Sequence, residues 1–179
     1  MSVNSPPTAF AYVGLGSNLG DRAGNLLLAV RAMMESGLEI VRLSSVYDTE
    51  PVGTFAQPAF LNMVAELRGD ELPSQLMETL LKIEQAMGRT RDVPRGPRLI
   101  DLDLLLCGDS IVTTPVLMLP HPRLHQRRFV LEPLAELSPE LVHPTIEKTI
   151  NQLLAATRDN SEVRLWSPQQ IPRGGPLIL

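Results

Sequence analysis

Cysteine, lysine and aromatic residues are all scarce in this chain, and each shortage removes a class of explanation. Cys107 is the only cysteine, so neither an internal disulfide nor a cysteine-rich zinc site is available; a buried thiol is expected there. Lysine occurs only at Lys82 and Lys148, within a Lys+Arg total of 16. Cationic chemistry therefore falls to arginine, whose planar fork suits bidentate phosphate recognition. Aromatics make up 4% of the chain, and no RNP-type pattern of them lies on adjacent strands. The net charge is −4 with a pI near 5.4, so any anion binding must come from local clusters rather than whole-molecule attraction. No apolar run approaches a membrane span. Met1 to Ala9 is small and polar, without the cationic start and apolar core of a signal peptide. The expectation is a cytoplasmic protein without nucleic-acid or membrane partners.

What is present is an ordinary globular composition: 179 residues, 44% hydrophobic and 20% charged, enough for one domain with a real core. The most informative stretch is Arg98-Leu99-Ile100-Asp101-Leu102-Asp103-Leu104-Leu105-Leu106. This short apolar run, ended by Cys107-Gly108, reads as a buried strand. Strand side chains alternate, so Asp101 and Asp103 share one face, roughly 6–7 Å apart. Two carboxylates there repel and are costly to desolvate unless something positive joins them. A hard divalent cation, Mg²⁺ or Mn²⁺, is the simplest remedy. Arg89, Arg91, Arg95 and Arg98 crowd just upstream, and together these groups point to a Mg-nucleotide site. The competing reading is a structural ion-pair network beside a solvated basic loop.

The surrounding pattern predicts β-α-β-β-α-β. Phe10 to Leu15 is a first strand, and Gly14 to Asp21 a glycine-rich turn into a helix whose inner face carries Leu26, Leu27, Val30, Met33 and Met34. Leu38 to Tyr47 is a second strand, Thr49 to Pro58 a long loop, and Phe60 to Leu67 a third strand. Leu72 to Met87 is a helix with Leu76, Leu80, Ile83 and Met87 inward and Gly88 as its stop. This order predicts a ferredoxin-like (split βαβ) α+β fold: an antiparallel sheet with two helices on one face and the Asp strand central. A hairpin near Ile111 to Pro115 and helices over Phe129 to Leu137 and Thr149 to Ala156 follow. Residues 1–9 are expected as a disordered extension, 10–157 as the single domain, and 158–179 as a loosely held C-terminal tail.

Other features leave alternatives open. Gly14-x-Gly16-Ser17-Asn18 lacks the third glycine of a dinucleotide turn and the Gly-Lys-Ser/Thr of a Walker loop. His121 and His125 lie four apart, a conceivable zinc pair, but Pro122 intervenes; phosphate contact from His121, Arg123 and Arg127 is the stronger reading. Glu84 sits on or beside a buried helix face, either paired with an arginine or part of the site. Phe60 and Phe129 are core residues or the walls of a flat-ligand site.

In their order, Thr49-Glu50-Pro51-Val52-Gly53, Gln57-Pro58-Ala59-Phe60-Leu61-Asn62, Gly96-Pro97-Arg98-Leu99-Ile100-Asp101-Leu102-Asp103 and Pro120-His121-Pro122-Arg123 through Phe129 resemble the 6-hydroxymethyl-7,8-dihydropterin pyrophosphokinase family. Gly16-Ser17-Asn18 fits the family's start, and the match runs from about Ala11 to Pro144. The resemblance implies transfer of the β,γ-pyrophosphoryl group of MgATP to the pterin hydroxymethyl group, with release of AMP, in folate biosynthesis. It implies two Mg²⁺ ions on Asp101 and Asp103, with Arg91, Arg98, His121 and Arg127 neutralising the transferring group and Arg89 helping. Glu84 and Leu104 would belong to the ATP site. The pterin would lie between Phe60 and Phe129, read by Asn62 with groups around Thr49 and Val52, near Asp101. Arg95 stands where this family often has an aromatic residue. Leu81, Val116 and Met118 are apolar where some members have polar nucleotide contacts. A monomer or homodimer is expected. The rivals are a two-metal nucleotidyltransferase, which would release pyrophosphate, and a ferredoxin-like ligand-sensing or RNA-binding module without Mg²⁺-dependent turnover.

Overall fold

The structure, a computed structural model, describes residues 10–50, 58–88 and 98–168. The sites predicted at Val52, Arg89 and Arg91, the position of Arg95 and the 1–9 extension lie outside the described residues.

Among the described residues the chain runs β1 (Phe10–Ser17), α1 (Arg22–Glu35), β2 (Glu39–Leu43), β3 (Tyr47–Thr49), β4 (Phe60–Arg68), α2 (Pro73–Ala86) and β5 (Asp101–Cys107). There follow β6 (Val112–Thr113), β7 (Met118–Leu119), a 3₁₀ turn (Leu124–Gln126), α3 (Arg128–Leu137), α4 (Ile150–Ala156) and β8 (Val163–Leu165). The result is an antiparallel sheet with helices on both faces.

Local chemistry sets the boundaries. Asp21 caps α1 by accepting the Gly24 N–H at 2.9 Å, and Gly37 ends it at φ 88°. Pro73 opens α2 at its first turn, where a missing N–H costs nothing, and Gly88 stops it at φ 86°. The α2 face is the expected one: Leu76, Leu80 and Ile83 are buried, with Glu84 beside them. The α1 face differs. Leu26, Ala29 and Met33 are buried, whereas Leu27 and Met34 are exposed, because the helix rolls its small Ala29 onto the sheet.

The sheet order is β5-β1-β4-β3-β8, with β2 also pairing β4. Glu39 faces Arg68 and Tyr47 faces Asn62, so β2 and β3 line one edge of β4 in succession. The predicted second strand is thus broken in two. Its kink is fixed by Ser44, whose N–H donates to Val64 O and whose Oγ accepts the Val64 N–H, both at 2.9 Å. The Asp strand, expected to be central, instead lies at the sheet edge and pairs only β1 among the named strands. Its outer side is partly satisfied by the His121 N–H, which donates to Leu105 O at 2.9 Å.

The two faces hold separate cores. α1 and α2 pack on Val13, Leu15, Leu61, Met63, Leu102 and Leu104. α3 and α4 pack on Tyr12, Val64, Leu105 and Leu106. The C-terminal helices therefore cover the face that the two-helix expectation left open. A register shift between Tyr12 and Val13 opposite β5 makes Leu105 an extra residue, so Leu105 and Leu106 both serve the α3 side. The segment after Arg158, expected to be loosely held, is tied down in its described part. β8 pairs β3, the Trp166 N–H donates to Val46 O at 2.8 Å, and Trp166 packs against the α1–α2 core.

Candidate active site

One register position organises the site. Gly16 on β1 faces Asp101 on β5 and Asn62 on β4. Directly opposed residues point to the same side of a sheet, here the side away from the α1–α2 core, as Leu102 and Leu61 show by pointing into it. Asp101 and Asn62 are two strand spacings apart, roughly 10 Å. Between them Gly16 contributes no side chain. The floor of a slot is therefore bare backbone, walled by a carboxylate on one side and an amide on the other. Gly14, opposite Asp103, is covered by the Leu105 side chain, which lies 3.6 Å from where its Cβ would be, so the bare floor ends at Gly16. These glycines were expected to begin a strand-to-helix turn; instead both lie inside β1.

The amide wall is fixed. Asn62 Nδ2 donates to Thr49 Oγ1 at 2.6 Å, and both residues are buried. Phe60 shares the Asn62 face by alternation, and its ring lies 3.7 Å from where a Gly16 Cβ would be. Phe129, on the first turn of α3, packs against the second core, with the Arg127 guanidinium 5.4 Å from its ring centroid.

Two arginines reach the carboxylate wall at different distances. Arg98 Nη1 lies 2.7 Å from Asp101 Oδ2, while Arg127 Nη1 approaches Asp103 Oδ2 only to 4.0 Å. Burial pushes the Asp103 carboxyl up from 3.8 to about 6. The Asp101 and Glu84 charges add to this rise, and Arg127 and Arg98 oppose it. Asp103 keeps 39% of its side-chain surface because it opens onto a cleft, yet dense protein around it starves the carboxylate of water. Burial, followed by the Arg127 and Arg123 cations, pulls His121 down from 6.5 to about 4, against the Asp101 charge. In the protein alone His121 is therefore a neutral imidazole at neutral pH, not the cation expected. Its Nδ1 accepts the Arg123 N–H at 3.2 Å, which leaves Nε2 to carry the proton. Burial and Arg123 also lower Arg127, although Asp103 and Asp101 resist the change.

Glu84 is 1% exposed, and its Oε1 accepts the Leu102 N–H at 2.7 Å, so it braces the carboxylate strand from α2. Leu104 lines a cleft of about 230 Å³ together with Met77, Asp103, Val116, Leu117, Met118 and His121. No cluster of three or more His, Cys, Asp or Glu fit to hold a metal occurs among the described residues. The zinc reading also fails locally, since His125 stacks edge-on against His143 at 6.2 Å rather than joining His121.

Sequence reasoning took Asn18 as part of a turn and of the family's opening motif, without a role in joining distant segments. It is buried, its Oδ1 accepts the Arg98 N–H at 2.8 Å, and its Nδ2 donates to Pro58 O at 3.4 Å. Its own N–H donates to Arg98 O at 3.2 Å. One side chain thus joins the entry to β5 with the entry to β4. A local reading could see only a polar residue after a strand.

Paired carboxylates beside arginines, with a cleft next to Asp103, suit an enzyme that transfers a charged group. The sequence profile described as 7,8-dihydro-6-hydroxymethylpterin-pyrophosphokinase (HPPK) matches residues 12–139. The chain belongs to this family of pyrophosphokinases. It is 41% identical over 157 residues to the 2-amino-4-hydroxy-6-hydroxymethyldihydropteridine pyrophosphokinase of Bacillus subtilis, covering 87% of this chain and 89% of that one. The Aquifex aeolicus protein of the same name is 39% identical over 144 residues, covering 80% and 89%. Among solved structures, a Plasmodium falciparum HPPK-DHPS aligns with a TM-score of 0.67 at 16% identity, which speaks to the fold alone. That alignment covers 86% of this chain and 46% of the longer one.

Proposed function

We propose that this chain transfers the β,γ-pyrophosphoryl group of ATP to the hydroxymethyl oxygen of 6-hydroxymethyl-7,8-dihydropterin, giving the pterin diphosphate and AMP for folate synthesis. The observation that carries this reading is the row Asp101–Gly16–Asn62, which sets a carboxylate and a hydrogen-bonding amide across a bare floor. A planar heterocycle fits there with its edge against Asn62 and its faces toward Phe60 and Phe129. Thr49 holds the Asn62 amide, so the edge recognition is set before the pterin arrives. Val52 completes the pterin set on the family resemblance. The strand order β5-β1-β4-β2/β3, antiparallel throughout, supports reading the core over 10–157 as ferredoxin-like.

The acceptor oxygen would then sit beside Asp101, where the phosphates must also come. Arg98 and Arg127 reach the carboxylates from two sides and would hold the phosphate oxygens, with Arg89 and Arg91 added on the family resemblance. His121 would donate from neutral Nε2, and the Leu104 cleft would take the nucleoside, with Glu84 steadying its strand. The donor set fits Mg²⁺: hard carboxylate oxygens on one face, one of them with a pKa raised by burial and by the neighbouring Asp101 charge. Asp101 and Asp103 would hold it, as two ions with ATP. Mg²⁺ held by Asp101 and Asp103 would supply Lewis-acid charge for the phosphate oxygens. The protein's own task is positioning and charge stabilisation, which is most of what phosphoryl-type transfer asks of it. We read the enzyme as a cytoplasmic monomer or homodimer that needs no nucleic acid or membrane. No helix among the described residues is long and apolar enough to cross one.

Incubation with MgATP and the hydroxymethyl pterin, followed by nucleotide separation, tests the reading. AMP that requires the pterin and disappears in Asp101→Ala and Asp103→Ala is expected. Pyrophosphate release in place of AMP would favour nucleotidyl transfer, and no turnover by folded protein would refute the assignment.

A further inference from the structure

The C-terminal segment holds a group that the reaction as proposed does not use. Asp159 Oδ2 accepts the N–H of Arg128, the first residue of α3, at 2.8 Å. That helix begins without a cap of its own, because Arg127 in the cap position makes no side-chain hydrogen bond to it. Pro133 weakens the same turn further, since it has no N–H to give the Phe129 carbonyl one turn earlier. Asp159 is itself held in place. Its Oδ1 accepts the Ser161 N–H at 3.0 Å, and its N–H donates to Thr157 Oγ1 at 3.3 Å. Four residues after Asp159, β8 locks the segment to β3.

The far end of α3 is fastened separately. Glu136 accepts hydrogen bonds from Ser45 N–H, Ser45 Oγ and Tyr47 Oη at 2.8–3.0 Å. The first turn is anchored inward by Val130 and Leu131 in the second core, and on its outer side Asp159 holds the Arg128 N–H. That turn carries Phe129, and Arg127 immediately precedes it.

We infer that Asp159 is a positioning residue for the pterin half of the site, supplying from the C-terminal segment the cap that holds Phe129 over the slot. An anionic carboxylate at a helix N-terminus satisfies an orphan donor and matches the helix dipole. Burial works against its charge, but the bonds to Ser161 and Arg128 outweigh it and lower the Asp159 pKa, so the cap is anionic at neutral pH. The inference rests on the reading of Phe129 as a wall of the pterin slot.

The test measures pterin affinity by fluorescence titration in the presence of Mg²⁺ and a non-hydrolysable ATP analogue, with the analogue's affinity and the Tm measured alongside. Asp159→Ala is expected to weaken pterin binding about three- to tenfold, the range set by loss of one cap, with the analogue changed less than about twofold. Asp159→Asn, which keeps the acceptor, is expected to recover most of the loss. Arg128→Pro removes the N–H at the one helical position that welcomes proline, and Arg127 already has the extended backbone that a following proline requires. In that background Asp159→Ala should add nothing further. A fall in Tm with pterin affinity unchanged, or with both affinities reduced equally, would overturn the inference. Full additivity with Arg128→Pro would do the same. Phe129→Ala separates the two levels: if it weakens pterin binding while Asp159→Ala does not, only the role of Asp159 falls. If Phe129→Ala has no effect, the slot reading and the inference fall together.

Discussion

Gly16 and Asn62 face each other across the β1–β4 ladder so closely that a Cβ on Gly16 would lie 2.8 Å from Asn62 Oδ1. The backbone of Gly16 is ordinary strand, so the glycine is required by space and not by an unusual φ. The space it leaves is where the Asn62 amide and the edge of the Phe60 ring lie.

Gly16→Ala therefore should displace the Asn62 amide or force it off its Thr49 partner. We expect pterin affinity to fall by tenfold or more while ATP affinity and the fold persist. Gly14→Ala is the control, since its Cβ would meet Leu105 at an ordinary 3.6 Å. Steady-state KM values for both substrates decide the matter. Equal effects from the two alanines would contradict the role given to Gly16.

Thr49→Val keeps the shape of the side chain but removes the oxygen that accepts Asn62 Nδ2. A buried donor left without its partner costs about 1–3 kcal/mol. Some of that loss should appear as a lower Tm and some as weaker pterin binding, because the freed amide rotates toward other partners. The Tm is read by calorimetry and the binding by titration. A variant with wild-type values for both would show that Asn62 is held by its own packing.

Much of this was legible along the chain, and the failures share one cause. Alternation placed Asp101 and Asp103 on one face, and glycine stops closed α1 and α2, because these depend on near neighbours. The edge position of β5, the extra residue at Leu105, the Gly16–Asn62 opposition and the Asn18 clasp between Arg98 and Pro58 depend on register between distant segments, which no local pattern encodes. α1 carries more apolar residues than one face can bury, so its periodicity admits several faces, and only packing on the sheet selects Leu26, Ala29 and Met33. The cap from Asp159 to Arg128 spans 31 residues and leaves no local mark at all.

Acid should destabilise the protein through His121. Its pKa falls from 6.5 to about 4 on folding, owing to burial and then Arg127 and Arg123, so the unfolded chain binds the extra proton between those values. The stability it contributes is complete above about pH 6.5 and is lost as pH falls toward 4. Asp103 opposes this in the same window, because its raised pKa makes the folded state the better proton binder between 3.8 and about 6. Tm measured against pH in the metal-free protein should be nearly level there. In His121→Gln the Asp103 slope remains, opposed by His143 and Asp159, whose pKa values are lowered on folding, so Tm should fall less, or rise, relative to the wild type as the pH is lowered from 6 to 4. An unchanged profile would show that His121 is protonated at the same pH in both states.

Asp103→Asn should trade function for stability. The Asp103 carboxylate is disfavoured first by burial and then by Asp101, and Arg127 stands too far away, at 4.0 Å, to cancel either. A neutral amide of the same size relieves the repulsion. The gain is modest, because the cleft admits water that already screens the charge: on the order of 1 °C in Tm at pH 7.5 without metal. The same change replaces an anionic oxygen ligand by a neutral amide oxygen, so Mg²⁺-dependent AMP formation should fall by at least a hundredfold and adding Mg²⁺ should raise the Tm much less. In the wild type the order reverses, with Mg²⁺ and the ATP analogue together supplying the stabilisation that the bare carboxylates lack. If Asp103→Asn lowered the metal-free Tm, the carboxylate would be a structural ion-pair partner of Arg127, and its place in the metal site would have to be given up.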